Sequence, residues 1–166
     1  MVETRISGSM SNESEKNIIM NKEFRDEIIE LCKVAGACQG EFKRLLETET
    51  DSAFCQVLKD NFSWCVNAGV LTVEIIDKYK EVFNASSIYA NENVESGFLL
   101  VRNSSVVAWE NSSVVAWGNS SVVAWENSYT TSYSIIECKL NDNAIYRVRS
   151  ENTVYFASDS ISFKKQ

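Results

Sequence analysis

Five cysteines carry the most reactive side chains of this 166-residue chain, and no histidine accompanies them. A thiol attacks as the thiolate, so a catalytic cysteine needs a neighbour that lowers its pKa, and histidine usually has that role. Here only a lysine, an arginine or a helix N-terminus could do so. An odd number of cysteines without an export signal also favours reduced thiols over disulfides. The five are Cys32, Cys38, Cys55, Cys65 and Cys138.

Zinc binding is the other chemistry that the four N-terminal cysteines, Cys32 to Cys65, could perform. Structural zinc sites hold their cysteines in close pairs with roughly two to four residues between them. The separations in this chain are wider, so we expect the thiols to act as small buried side chains. The sequence predicts no metal and no cofactor.

The rest of the composition also argues against catalysis. Phosphate loops, nucleophile elbows and dinucleotide-binding glycine motifs are absent, and acidic pairs such as Asp26/Glu27 are typical of solvated helix faces. The net charge of −7 disfavours nucleic acid as a direct partner, because phosphates are neutralised by clustered Lys and Arg. We therefore predict a protein that is not an enzyme and has no catalytic residues.

A short repeat dominates the second half of the chain. The octad Asn-Ser-Ser-Val-Val-Ala-Trp-Glu begins at Asn103 and returns at Asn111, with Gly in its last position, and at Asn119. Counting in eights extends degenerate copies from Glu95 to Ser158, and the junctions carry the polar and glycine residues that turns need. Each octad is therefore predicted to be one strand and one turn.

The degenerate octads indicate which face of each strand points inward. Between 135 and 149, apolar residues alternate with charged ones such as Glu137, Lys139 and Arg147. Charges mark the solvent face, so the second, fourth and sixth residues of an octad should face the core. In the three regular octads this places the following residues inside: Val106, Ala108, Val114, Ala116, Val122 and Ala124.

The same phase places apolar and aromatic residues on the outside of the solenoid. Together they form an apolar surface larger than a soluble monomer normally exposes. We interpret them as one candidate interaction surface. It could pack against the helical part of the chain, mediate self-association, bind another protein or bind a carbohydrate. Its members are Val107, Trp109, Val115, Trp117, Val123, Trp125 and Tyr133. Val114→Asp should then abolish folding, whereas Val115→Asp should be tolerated unless this face is an interface.

Two architectures fit these octads. In a β-solenoid each coil would hold two octads or three, and coils of sixteen residues would place Trp109 over Trp125 and Trp117 over Tyr133. An antiparallel β-meander would instead place successive octads side by side. Stacking identical residues in register satisfies the backbone bonds of a solenoid, whereas identical strands specify the register of a meander only weakly. We favour the solenoid and keep the meander as the alternative.

Four short helices are predicted before the repeats. Apolar residues recur every three or four positions after Phe24, Phe42, Phe54 and Ile75, which is the period of an amphipathic helix. The prediction is an α+β chain in which a small N-terminal four-helix subdomain precedes a β-solenoid of octapeptide repeats. Its segments are a disordered or vector-derived tail (1–19), the helical subdomain (20–85), a linker (86–94), the octapeptide-repeat domain (95–163) and a basic tail (164–166).

From Met20 onwards the chain resembles uncharacterised octapeptide-repeat proteins of gut bacteria and their phages. The resemblance lies in the regular octads, in the segment from Ser134 to Val148 and in the helical segment from Leu58 to Thr72. It implies a β-solenoid from a mobile element and supplies no activity or site residues.

These observations predict a non-catalytic protein-interaction or assembly module of phage or mobile-element origin. The alternative is a phage-type, anti-CRISPR-like inhibitor of a host defence nuclease, whose acidic surface would mimic nucleic acid. No apolar run approaches the length of about 18 residues that spans a membrane, and no signal peptide is visible. We therefore expect a cytoplasmic protein with a protein partner or self-association, without membrane contact.

Overall fold

The structure, a computed structural model, describes residues 20–157 and 161–163. Within these residues, six short helices are followed by ten strands. The helices are α1 (Lys22–Val34), α2 (Gln39–Leu46), α3 (Asp51–Asp60), α4 (Phe62–Asn67), α5 (Val73–Lys78) and α6 (Lys80–Ala85). The strands are β1 (Ile88–Ala90), β2 (Phe98–Arg102), β3 (Ser105–Ala108), β4 (Ser113–Trp117), β5 (Ser121–Ala124), β6 (Tyr129–Ser132), β7 (Glu137–Leu140), β8 (Ile145–Val148), β9 (Thr153–Phe156) and β10 (Ile161–Phe163). The tails predicted at 1–19 and 164–166 lie outside the described residues.

Side-chain caps begin three of the helices. The side chains of Asn21, Thr50 and Thr72 each accept a hydrogen bond, 3.0 to 3.2 Å long, from the amide three residues later. Each bond satisfies an amide that the first helical turn leaves without a partner. No helix of the described residues is long and apolar enough to cross a membrane.

Two of the four predicted helices are broken in two, so the predicted count of four is corrected to six. The third predicted helix stops at Asn61, whose φ of −115° and ψ of 22° leave the helical region. The side-chain amide of Asn61 donates to the Glu41 carboxylate. The fourth stops at Tyr79, whose ring packs against Phe24 and whose hydroxyl donates to Glu27. Tertiary contacts therefore override a continuous apolar period.

Parallel strands build a β-solenoid of about three turns, formed by β3–β4, β5–β6 and β7–β8. One sheet has six strands in the order β1-β2-β4-β6-β8-β9, and the other has four in the order β10-β7-β5-β3. Successive regular octads alternate between the six-stranded and the four-stranded sheet. Val106 pairs with Val122, and Val114 with Thr130, sixteen residues later. Each coil therefore holds two octads, the length that the sequence left open between two octads and three, and the antiparallel meander is wrong.

The regular octads fill the solenoid core as their phase predicts. All six residues predicted to face inward are at most 3% exposed and belong to one apolar cluster. Cys138, Leu140, Tyr146 and Val148 continue this cluster in the degenerate octads. The charged residues between them lie on the outer faces of β7 and β8.

The octads at the two ends depart from the predicted array. Leu99 pairs with Val114, fifteen residues later, so Leu99 and Val101 face the solenoid core while Phe98 and Leu100 face outward. At the other end, β9 and β10 run antiparallel to β8 and β7. The prediction of eight equivalent octads between 95 and 158 is therefore corrected, because the terminal strands form ends of the solenoid rather than further coils.

Residues in the left-handed conformation close the corners. They include Glu110, Gly118, Glu126 and Asp142, with φ between 47° and 66°, all at the last position of an octad. A Cβ at Gly118 would lie 2.2 Å from the Oδ1 atom of Asn103. That atom accepts a hydrogen bond from the Asn119 amide at 3.0 Å. The other corners hold Glu or Asp in the same conformation, so it is the Asn103 side chain of the neighbouring coil that distinguishes this corner, and the left-handed φ adds to the preference for glycine.

The helical subdomain packs on the outer face of the six-stranded sheet. Leu100 and Val115 point outward from β2 and β4 and join the same apolar cluster as Phe62 and Val70 of the helical subdomain. Helices α5 and α6 also contact β1 at the edge of this sheet. Helices and solenoid therefore share one interface on this side.

Candidate interaction surface

The seven residues predicted to form one surface lie on two different sheets. Four of them lie in or directly after β3 and β5 of the four-stranded sheet, namely Val107, Trp109, Val123 and Trp125. The other three lie in or directly after β4 and β6 of the six-stranded sheet, namely Val115, Trp117 and Tyr133. Because the two sheets enclose the solenoid core, their outer faces point in opposite directions. Whether either face binds a partner stays a prediction.

Val115 is not part of the solvent-exposed surface. Its side chain is 3% exposed and packs in the apolar cluster of the helical subdomain, beside Leu100 of the neighbouring strand. The octad phase places Val115 outside the solenoid, and it does point out of the solenoid core. The helices cover it, which is one of the explanations that the sequence leaves open for this surface.

Trp117 and Tyr133 lie at the rim of the same sheet. Trp117 is aligned with Arg102 of β2 and helps to line a groove of about 240 Å³ beside Thr72 and Val73. Tyr133 is 66% exposed. This rim is therefore only partly covered by the helical subdomain.

On the four-stranded sheet the valines equivalent to Val115 are not fully buried. Val107 is aligned with Val123 in the ladder, and both are half-buried. Trp109 is 36% exposed, and Trp125 is half-buried. We call Val107, Trp109, Val123 and Trp125 the Val/Trp face. None of its members belongs to either apolar cluster of the described residues.

Carboxylates border the Val/Trp face at one corner of the solenoid. Glu110 and Glu126 directly follow the two tryptophans, and Asp142 continues their column in the next coil. All three are exposed. None of them takes part in the ion pairs of the described residues, which lie between Lys22 and Glu92. The face therefore combines an apolar centre with a negatively charged rim.

Four of the five cysteines are buried. Burial raises the pKa of Cys32 and Cys55 to about 11, and that of Cys65 and Cys138 to about 12. These thiols therefore stay protonated at neutral pH and are poor nucleophiles. Cys38 is exposed. Among the described residues, no group of side chains is arranged to hold a metal ion.

A cleft of about 190 Å³ between the helices was missed by sequence reasoning. It is lined mainly by apolar side chains and by the thiols of Cys32, Cys38 and Cys65. Asn61, where the predicted third helix breaks, lies in its wall, so a continuous helix could not reveal the cleft. Trp64 also lines the cleft. This tryptophan lies off the apolar stripe of the predicted helix, and that position could have indicated a second apolar contact.

Two exposed apolar residues near the C-terminus were also missed. The octad phase predicts that Val154 and Phe156 face inward, but they are 41% and 65% exposed. The reason is that β9 turns back antiparallel to β8, with Tyr155 facing the solenoid core. Asn152 was the available signal, since other octads have Ser, Ile or Ala at that position.

No protein-family model matches the chain, no curated protein is significantly similar to its sequence, and no solved structure significantly matches its fold. The predicted relation to octapeptide-repeat proteins of gut bacteria and phages therefore stays a prediction. Any functional conclusion depends on the site itself.

Proposed function

We propose that the protein is a cytoplasmic, non-catalytic interaction module that binds another protein through the Val/Trp face. The supporting observation is a difference in cover: the octad valine is buried at Val115 but only half-buried at Val107 and Val123. An ordered apolar surface in water is unfavourable, and a partner that covers it removes that cost. Tryptophan is also the residue most enriched at binding hot spots.

The chemistry of the face defines the partner. Its centre consists of two aligned valines on paired strands and of the tryptophans that directly follow these strands, so the sheet holds its backbone in place. Glu110 and Glu126 flank this centre and are not neutralised within the described residues. A complementary partner presents an apolar or aromatic patch with Lys or Arg beside it. Because the strands are already ordered, little conformational entropy is lost on binding.

Matched tryptophan variants test this proposal. Partners captured by the full chain from the organism that encodes it are purified, and their Kd for each variant is measured by calorimetry. Trp125→Ser should weaken binding by at least about tenfold, as truncation of a hot-spot residue does. Trp117→Ser changes the same octad position on the other sheet and should leave the Kd unchanged. An unchanged Kd for Trp125→Ser would contradict the proposal.

A second function is favoured by the column of carboxylates. Glu110, Glu126 and Asp142 follow one another along successive coils, so they repeat at about the 4.8 Å spacing of neighbouring strands. Such a column could occupy the basic nucleic-acid channel of a host defence nuclease, as an inhibitor from a phage or mobile element would.

Salt dependence tests this second function. With a purified RNA-guided nuclease of the host, inhibition by the unchanged chain should weaken as salt rises, because the contact is electrostatic. The double variant Glu110→Gln/Glu126→Gln should inhibit more weakly at low salt. Inhibition that is insensitive to both salt and the double variant would contradict charge mimicry.

A further inference from the structure

The N-terminal end of the solenoid has its strand edges covered. The edge of β3 bonds to the preceding segment: the Val94 amide donates to the Val107 carbonyl, and the Val94 carbonyl accepts from the Trp109 amide, both at 3.1 Å. The side chain of Asn93 accepts from the Val107 amide at 2.8 Å. On the six-stranded sheet the edge strand is β1, against which α5 and α6 pack. At this end the backbone of β3 therefore has partners within the chain, and helices pack against β1.

The opposite edge of the six-stranded sheet is β9. The Ala157 amide donates to the Ala144 carbonyl at 3.3 Å, and hydrogen-bonded pairs alternate along an antiparallel ladder. The amides and carbonyls of Val154 and Phe156 therefore point away from β8. No group in the described part of the chain bonds to them.

Strand β9 lacks the features that usually protect a free edge. Thr153–Phe156 contains neither a charged residue nor a proline, and its register with β8 is continuous, without a bulge. Its outward side chains, Val154 and Phe156, are among the most exposed apolar residues of the described chain. Natural sheets protect their edges with charges, prolines or bulges because an open apolar edge pairs with other chains. The edge of β9 is therefore suited to accept another strand.

We propose that β9 of a second copy of this chain pairs antiparallel with β9, so that the two six-stranded sheets become one continuous sheet. Two-fold symmetry about Tyr155 places Val154 opposite Phe156 of the second copy, and Phe156 opposite its Val154. Each of these two pairs exchanges two backbone hydrogen bonds, which satisfies the outward groups of both strands. The exposed side chains of both copies then meet as cross-strand pairs on one face of the sheet.

A second copy fits this edge because the strand is self-complementary. Antiparallel pairing of two identical strands closes after two copies, whereas repeated head-to-tail addition leaves an open edge each time. The helices pack on β1, β2 and β4, and the strands β6 and β8 separate these from β9. The second solenoid is thus not obstructed by the helical subdomain. The contact is independent of the Val/Trp face, which belongs to the other sheet.

The mass of the full chain in solution tests this inference. Sedimentation equilibrium over a concentration series should show a mass that rises towards twice that of one chain. Val154→Lys places a charge on the edge and should give the mass of one chain at every concentration. Val154→Pro should do the same, because it removes an outward amide and no bond to β8.

Val123→Lys is the matched control, since it places the same charge on a half-exposed valine of the other sheet, and its mass should follow that of the unchanged chain. A mass of one chain at all concentrations for the unchanged protein would overturn the proposal. So would a dimer that persists in both Val154 variants. A dimer lost in Val123→Lys but kept in Val154→Lys would place the contact on the Val/Trp face and would overturn it as well.

Discussion

The outward valine of the octad is buried at Val115 but only half-buried at Val107 and Val123. The surrounding sequence, Ser-Val-Val-Ala-Trp, is nevertheless identical in all three octads. On both sheets the preceding valine and the following alanine fill the solenoid core in the same way. The difference arises outside, where helices pack on the six-stranded sheet only. Local sequence therefore determines the inward contacts, whereas tertiary packing determines whether the outward side chains are buried.

The largest expected effect comes from an aspartate at the outward valine. Val115→Asp buries a carboxylate without a partner between helices and sheet, so the free energy of unfolding should fall by about 3–5 kcal/mol. Val123→Asp leaves its carboxylate in contact with water and should cost at most about 1 kcal/mol. Urea unfolding followed by circular dichroism measures both variants. The sequence predicts tolerance at Val115 unless its face is an interface, and the helices form such an interface there. Equal losses in the two variants would show that the four-stranded sheet is covered as well.

The corners that leave the two sheets should differ by a smaller amount. Gly118→Ala places a Cβ 2.2 Å from the Asn103 Oδ1 atom at a φ of 66°, so the bond from Asn103 to the Asn119 amide must break. We expect a loss of about 2–3 kcal/mol. Glu126→Gly, at the corner after β5, relieves a left-handed conformation and should change stability by less than about 1 kcal/mol. Thermal unfolding compares the two, and a neutral Gly118→Ala would refute the close approach of Asn103.

The inner faces of the two sheets differ at Thr130, which places a hydroxyl in the solenoid core where the other sheet has a valine. It occupies the octad position of Val122, is fully buried, and its Oγ1 atom has no hydrogen-bond partner in the described residues. Thr130→Val removes an unsatisfied hydroxyl at similar shape and should raise the free energy of unfolding by about 1 kcal/mol. The reverse change on the other sheet, Val122→Thr, should lower it by a similar amount. A destabilised Thr130→Val would indicate that the hydroxyl is bonded after all.

The last prediction concerns alkaline pH and tests the burial of one thiol in the solenoid core and one in the helical core. Burial raises the pKa of Cys138 to about 12 and that of Cys55 to about 11, above the value of about 8.5 for a free thiol. The unfolded chain therefore releases these protons first, and stability falls as pH rises from about 8.5 through the folded pKa. In Cys138→Ala, the unfolding free energy should fall less steeply with pH in that range. The change in slope should correspond to the release of about one proton fewer on unfolding. Cys55→Ala should make the same change for the helical core, and unchanged slopes in urea titrations would contradict the burial of these thiols.

Sequence reasoning succeeded where the octads are degenerate. Charges at Glu137, Lys139 and Arg147 reveal a phase that regular octads hide, and the buried residues between them confirm it. The same reasoning could not locate the breaks at Asn61 and Tyr79, because an apolar period continues through both. It also missed the slip at β2 and the reversal at β9, which depend on how the solenoid ends.

The candidate surface shows the same limit. A period of eight residues indicates that its seven members face out of the solenoid, but it carries no information about which sheet the helices will cover. The cover depends on the apolar outer residues Phe98 and Leu100 of β2, which are brought into position by the one-residue slip. Without that slip, Leu99 and Val101 would face the helices instead.

Two octads complete one turn of the solenoid, and this restricts how the gene can change in length. The loss or gain of one octad would transfer every later strand to the opposite sheet. Tyr146 and the closing strand β9 would then exchange sides relative to the helices. A change of two octads would add or remove a whole turn of about 4.8 Å and keep both ends on their present sheets. Natural variants of this chain should therefore differ by even numbers of octads.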